Sequence, residues 1–329
     1  MPSAVDALRR LGVDPATAEH APFRGIRFRD AADPLTSAAG LFRSAPGIGI
    51  RRTRLYQLLL DRSADLGVQF HWQTTVQAIE KTGIDGSIKA STTTGLFRPR
   101  YLVGADGLHS RTRALAGLDK GSLSRVRIGI RQHFAATPHT DLVEVYWSRH
   151  GQAYVTPISS SELCVAFVSS SRPSSHNHLS LFPALAARLR GANPIGTSRG
   201  AITLTRSLRH VTLGNIALVG DASGSVDAIT GDGLALCFQQ SLALAEGLAT
   251  GNLVTYQQVH DRISRLPRLM SRLLLHMDRH PALSAKALRT FSRRPSLFSE
   301  LLSIHTSDQP LRLLGSGGLV ASLLCVICN

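Results

Sequence analysis

The sequence predicts an α/β fold in which a parallel sheet holds a ligand at the carboxyl ends of its strands and is interrupted by an inserted antiparallel sheet. Two short apolar runs carry this reading, Y-L-V-G-A-D at residues 101–106 and I-A-L-V-G-D at 216–221. Neither alternates apolar with polar residues, which is the pattern of strands buried on both faces. Each ends in an aspartate, at the position where open α/β sheets bind ligands. The third observation is the strand-rich stretch between them, residues 117–208.

The elements follow in order. Residues 2–11 read as a short helix with Val5, Leu8 and Leu11 on one face, stopped by Gly12. Residues 23–28 and 47–50 are extended. Arg52-Thr53 opens a helix over 55–66, with Leu55, Leu58, Leu59 and Leu66 on a shared face and Gly67 as the stop. At that helix's positive end, Arg52 attracts phosphate through both its guanidinium fork and the helix dipole. Residues 68–72 and 75–80 are predicted strands from their β-branched and aromatic content, and 88–94 with 96–98 continue as a meander. After the first strand-end aspartate, Asp106, comes Gly107 and a short helix through Arg113 and Leu115, with Ser110 as its N-cap.

The insertion is strand-rich at 125–135, 142–147, 153–158, 163–169 and 201–206, with a lone amphipathic helix at 179–189. Its histidines His133, His139 and His150 stand singly, so no acid–base pair and no catalytic residue is identified. Beyond it, residues 214–248 spell strand, glycine-bearing loop and long helix, the last marked by Leu234, Leu236, Phe238, Leu242, Ala245 and Leu248. Asp221 there can accept hydrogen bonds from sugar or ribityl hydroxyls. Gly231 and Gly233 let a flat ligand approach the backbone at a helix N-terminus that favours electron-rich oxygen.

Composition excludes several classes. The formal net charge is +15, but nearly all of it is arginine spread along the chain, and aromatics are only 5%. Basic runs with interleaved stacking rings are missing, so nucleic acid is not an expected partner. Four cysteines do not make a disulfide framework at this length, and Cys325-Val-Ile-Cys328 sits in an apolar tail. His176-Asn-His178 has no carboxylate or cysteine cluster near it, so no metal site is expected. No signal peptide opens the chain, which makes the cytoplasm the default. Residues 256–280 form a basic amphipathic helix that Pro267 should kink or restart. The apolar stretch 311–328 is ~27 Å long if helical, slightly short of a membrane span. It is expected to rest on a membrane or on the protein's own surface, and the basic helix to cover the sheet with its arginines in water, with peripheral membrane contact through both as the alternative.

Residues 214–248 resemble the second FAD-binding motif of the flavoprotein monooxygenases related to p-hydroxybenzoate hydroxylase, and of the related geranylgeranyl-reductase-like flavoproteins. G-A-D-G-L-H-S-R-T-R at 104–113 resembles the family's middle motif. The resemblance implies an FAD/NAD(P)-binding Rossmann-like fold with an inserted antiparallel β-sheet substrate domain. It further implies FAD as cofactor, NAD(P)H as electron donor and an apolar or aromatic small-molecule substrate. It places Arg52 at the FAD pyrophosphate, the backbone of Val76 at the adenine, and Asp106 and Gly107 near the pyrophosphate and ribityl region. Asp221, Gly231 and Gly233 fall along the ribityl chain and flavin. The implied division is a cofactor domain at 1–116 and 209–307, a substrate domain at 117–208 and a tail at 308–329. The family's first unit, a strand and G-x-G-x-x-G turn, is lacking, so the chain resembles an N-terminally truncated member. Gly224 and Ala228 stand where typical hydroxylases have histidine and proline, and V-D-A-I-T-G-D-G leans toward the reductase branch. Three functions therefore stand open: monooxygenase, flavin-dependent reductase of C=C bonds in lipid or prenyl chains, and non-catalytic remnant.

Overall fold

Backbone hydrogen bonds at Arg24 set the first departure from the sequence pattern. In this computed structural model, which describes residues 1–306 apart from 34, 83–86, 125 and 171–177, the extended segment expected at 23–28 divides there in two. The Arg24 N–H donates to Asp141 O and its carbonyl accepts from the Phe42 N–H, each at 2.8 Å. The expected tail at 311–328, its two cysteines and His176 lie outside the described residues.

Helix α1 (Pro2–Arg10) buries Val5 and Leu8 and ends at Gly12, whose φ of +77° suits glycine. Strands β1 (His20–Phe23), β2 (Gly25–Asp30), β3 (Ser37–Leu41) and β4 (Gly47–Ile50) follow. Helix α2 (Arg52–Asp65) buries Leu55 and half-buries Leu58 and Leu59, whereas Leu66 falls past its end and is exposed. Strands β5 (Val76–Thr82), β6 (Ser87–Thr92) and β7 (Gly95–Phe97) form the expected meander. Next come β8 (Leu102–Gly104), α3 (Arg111–Leu115) and β9 (Gly121–Leu123). The inserted region supplies β10 (Arg127–Ala135), β11 (Leu142–Ser148), β12 (Gly151–Pro157), β13 (Glu162–Ser169), α4 (Pro183–Arg188) and β14 (Asn193–Thr203). The chain then runs through β15 (Arg206–Leu208), β16 (Thr212–Leu213) and β17 (Ile216–Leu218) into α5 (Gly233–Ala249), α6 (Leu253–Arg279), α7 (Pro281–Arg293) and α8 (Pro295–His305).

The largest sheet has seven strands in the order β14-β10-β13-β12-β11-β2-β3. Two of its features go beyond the expected inserted sheet. The sheet is not wholly antiparallel, because β2 runs parallel to β11 with Ile26 beside Val143 and Phe28 beside Val145. Nor does it belong to 117–208 alone, since residues 25–41 extend it. One face packs Val145 and Trp147 against Met270, Leu288, Phe291 and Phe298 of α6, α7 and α8. The opposite face packs Phe134, Val155, Val165 and Phe167 against Phe182, Leu185 and Leu189.

The smaller sheet is β16-β17-β8, with β17 parallel to β8 from Ile216 beside Leu102 to Leu218 beside Gly104. The two aspartate-bearing segments thus leave adjacent strands in the same direction. Strand β17 is buried throughout, as expected, but Val103 of β8 is 40% exposed, and β8 has a neighbour on one side only among the described residues. The strand expected at 68–72 is not formed. Val68, Phe70 and Trp72 alternate as a strand would but find no partner strand among the described residues and are exposed, Trp72 by 63%. Phe70 and Trp72 stack on each other instead, ring centroids 5.4 Å apart. Helix α6 runs unbroken through Pro267, where a restart was one expectation. Its Arg262, Arg265, Arg272 and Arg279 are exposed while Met270, Leu275 and Met277 enter the core.

Two buried polar clusters tie the layers together. Arg127 of β10 donates to Asp227 Oδ1 at 2.7 Å and to Gln152 Oε1 at 2.6 Å, and Asp278 of α6 stands 3.4 Å away. In the other, Gln240 Oε1 accepts from the Gly220 N–H at 3.0 Å and from the Ser223 hydroxyl at 3.3 Å, and His260 Nε2 lies 3.0 Å from that same hydroxyl. Arg127→Ala leaves Asp227 charged and unpaired in the core, so it should cost about 3–5 kcal/mol in urea unfolding. Burial lowers the His260 pKa from 6.5 to about 4. The unfolded chain takes up this proton near 6.5 and the folded chain only near 4. Stability from this source is therefore complete above 6.5 and falls as pH drops toward 4. His260→Gln should flatten that acid limb in thermal melts.

Candidate functional site

Asp221 lies in a 3₁₀ turn, Gly220–Ser223, that begins where β17 ends. Gly220 has φ +61° and a Cβ there would stand 3.1 Å from Cys237 Sγ, so both conformation and space favour glycine. With Gly220 held by Gln240 and Ser223 by His260, Asp221 opens into a cleft of about 610 Å³. Burial raises its pKa, and the neighbouring Arg52 opposes the rise.

Arg52, Gly107, Asp221, Gly231 and Gly233 all line this one cleft, across from Gly129, Arg131 and Gly200 of the large sheet. A Cβ at Gly107, Gly231 or Gly233 would meet no atom within 4 Å, so the backbone presents itself to open space at all three. Gly107 and Gly231 also have φ of +78° and +70°. Arg52 is held at the cleft rim through its neighbour Arg51, the N-cap of α2, whose guanidinium donates twice to Glu162 Oε2 at 3.0 and 2.8 Å. Glu162 Oε1 in turn meets His133 Nδ1 at 2.5 Å. His133 is thus not an isolated histidine. Its place on β10, beside β13, puts it diagonally across from Glu162, a pairing that local sequence does not announce.

Asp106 and Val76 are placed differently. The Asp106 carboxylate accepts from the Ser110 hydroxyl and, at 2.8 Å, from the Thr112 N–H, while Ser110 caps α3 by accepting from the Arg113 N–H at 2.9 Å. Burial raises the Asp106 pKa, but these hydrogen bonds outweigh it and hold it below the usual carboxylate range. Asp106 therefore anchors the turn whose neighbours Ala105 and Gly107 line the cleft, without lining it itself. Val76 sits on β5 opposite Thr92, away from the cleft wall.

A second cavity, about 260 Å³, adjoins the cleft at Gly231, which lines both. Its walls are Ile26, Phe28, Val143 and Val145 from the sheet and Met270, Leu274, Phe298 and Leu301 from the covering helices. Its polar end is Thr230 and His305. His305 Nε2 lies 3.2 Å from Thr230 O and 3.5 Å from Asp232 Oδ2. Burial raises the Asp232 pKa and His305 opposes it. Tyr154 donates to Ile229 O at 3.0 Å, bracing the same turn from β12. None of His305, Tyr154 or the Arg127–Asp227 pair was signalled by sequence, because each meets its partner only through tertiary packing.

The residues present fit FAD. Three glycines leave a flat channel, Asp221 offers acceptors for ribityl or ribose hydroxyls, and Arg52 at a helix N-terminus suits phosphate. Gly231→Val would force a β-branched residue to positive φ inside the channel, so flavin affinity should fall at least tenfold and the thermal midpoint should drop by a few degrees from the backbone strain. Asp221→Ala should weaken flavin by about tenfold, the loss of one or two hydrogen bonds at ~1 kcal/mol each. Flavin fluorescence titration measures both.

Comparison with known proteins agrees with this geometry. A family model described as FAD binding domain matches residues 2–252. No curated protein matches the chain in sequence. Among solved structures, p-nitrophenol 4-monooxygenase PnpA from Pseudomonas putida superposes with a TM-score of 0.76 at 15% identity, covering 92% of this chain and 85% of that one. PqsL from Pseudomonas aeruginosa, described as a probable FAD-dependent monooxygenase, gives 0.66 at 20% identity over 85% and 87%. The flavin-dependent halogenase CmlS gives 0.69 at 15% identity over 89% of this chain, which spans 57% of CmlS. The strand-end turns, the glycine-lined channel and the family match lead to one conclusion: the chain belongs to the FAD binding domain family and has the α/β fold of the p-hydroxybenzoate-hydroxylase type.

Proposed function

We propose that the protein is an FAD-dependent monooxygenase that takes electrons from NAD(P)H and oxidises an apolar or aromatic small molecule held in the 260 Å³ cavity. The observation that carries this reading is that one residue, Gly231, lines both the cofactor cleft and the apolar cavity. A molecule in the cavity is therefore in reach of the flat end of a cofactor in the cleft. When bound, FAD supplies the redox chemistry between the reductant, O₂ and the substrate. The chain's own residues do the rest. Ile26, Phe28, Val143 and Val145 exclude water, Gly231 and Gly233 admit the ring, and His305 with Thr230 offers the cavity its polar contact.

Protein supplied with FAD should couple NADH or NADPH oxidation to oxygen uptake when an aromatic substrate is present. Anaerobic reduction of a prenyl or lipid C=C bond without oxygen uptake would assign the reductase instead, and failure to take up flavin would assign the remnant. Val145→Trp fills the cavity and should raise KM at least tenfold while leaving flavin affinity unchanged, since Val145 does not line the cleft.

We further propose peripheral membrane contact through the exposed arginines of α6 together with the tail. No described helix is long and apolar enough to cross a membrane. Flotation with anionic vesicles tests it, and loss of binding on changing Arg262, Arg265 and Arg272 to Gln is the expected result.

A further inference from the structure

Behind the apolar cavity the large sheet carries a pocket of opposite chemistry. Side chains alternate along β2 and β11, so Ile26, Phe28, Val143 and Val145 face the cavity while Arg27, Arg29, Glu144 and Tyr146 face the other side. There they join Arg188 at the end of α4, with His139 and Thr140, around a concave space of about 290 Å³.

Glu144 is 1% exposed and is the acid of the group. The Arg29 Nε–H donates to its Oε1 at 2.7 Å, and the Arg188 guanidinium pairs with Oε2. Arg27 stands 3.8 Å from Oε1, too far for a hydrogen bond. Asp141, the next carboxylate along the chain, is taken by Arg24. Three guanidiniums thus surround one carboxylate, leaving a net +2 on the pocket wall. Burial lowers the Arg27 pKa, with Arg29 lowering it further, and burial with the other two arginines takes Arg188 down to about 10. Buried Arg188 Nε has no hydrogen-bond partner among the described residues.

Like charges gathered in a concave, poorly hydrated wall repel one another, and an anion relieves that repulsion. Guanidinium forks match the oxygens of phosphate bidentately. We propose that the pocket framed by Arg27, Arg29 and Arg188 binds a phosphate-class dianion, either inorganic phosphate or the phosphate of a small monoester. A dianion neutralises the uncompensated +2, where a monocarboxylate would neutralise half of it. The occupant bridges α4 to β2 and β11, the strands whose other faces wall the apolar cavity. The site is separate from the cofactor cleft and does not depend on the redox reading.

Calorimetric titration and thermal melts of the full chain, with sodium phosphate and glycerol phosphate against sodium chloride at equal ionic strength, test this. Saturable binding with a rise in Tm that chloride does not reproduce is expected. Arg27→Gln, which removes the arginine not hydrogen-bonded to Glu144, should weaken phosphate at least tenfold with the fold intact. Because Arg188→Gln alone takes one partner from a buried carboxylate, the triple variant Arg27→Gln/Arg188→Gln/Glu144→Gln, which leaves Arg29 as the single charge of the wall, serves as the second test and should lose phosphate. Tighter binding of glycerol phosphate than of phosphate assigns a monoester, and the reverse assigns the free ion. Phosphate indistinguishable from chloride, or bound equally by wild type and both variants, overturns the site.

Discussion

The ion pair between Arg127 and Asp227 is the contact on which the functional geometry rests. Both side chains are out of water, at 3% and 0% exposed, and they belong to different parts of the fold. Arg127 begins β10 of the large sheet, and Asp227 begins the turn that leads to Gly231. A pair so buried holds best when its remaining hydrogen-bonding capacity is met, and here Gln152, Asp278 and the Ile229 N–H meet part of it, while Arg127 Nε and Asp227 Oδ2 have no hydrogen-bond partner among the described residues. The consequence is positional. The sheet that walls the apolar cavity and the turn that floors the cofactor channel are fixed to each other, so the two spaces meet at one residue.

The same logic separates two aspartates that look equivalent in sequence. Asp106 and Asp221 each follow an apolar strand, and the strands are neighbours. What differs is the partner set. Asp106 spends its oxygens on Ser110 and Thr112, which fixes α3, whereas the turn around Asp221 is held by Gln240 and His260 from two other helices. One carboxylate is consumed in structure and the other is left for the cleft, a distinction invisible to spacing and glycine content.

Much of the plan was legible because it is local. Non-alternating apolar runs gave β17, helical spacing and glycine stops gave α1 and α2, and Arg52 was placed by its position at a helix start. The parts that were not legible depend on pairing across long stretches of chain. The parallel pairing of β2 with β11 draws residues 25–41 into the large sheet, and nothing within those residues encodes the choice. His305 meets Asp232, and Arg127 meets Asp227, only after the helices have packed. At 68–72 the local pattern was right and still insufficient, because alternation makes a segment competent to be a strand without providing the neighbour that makes it one.

That unfulfilled segment bears on how the molecule behaves in company. Val68, Phe70 and Trp72 present an apolar ladder in the chain segment before the meander, and β8 pairs along one edge only among the described residues. Each is a template for an incoming extended backbone, and such templates recruit like from like when nothing else covers them. Colloidal behaviour, rather than redox chemistry, is where these residues would first make themselves felt: an extended segment of another molecule laid along either one would lower the concentration at which the protein stays dispersed.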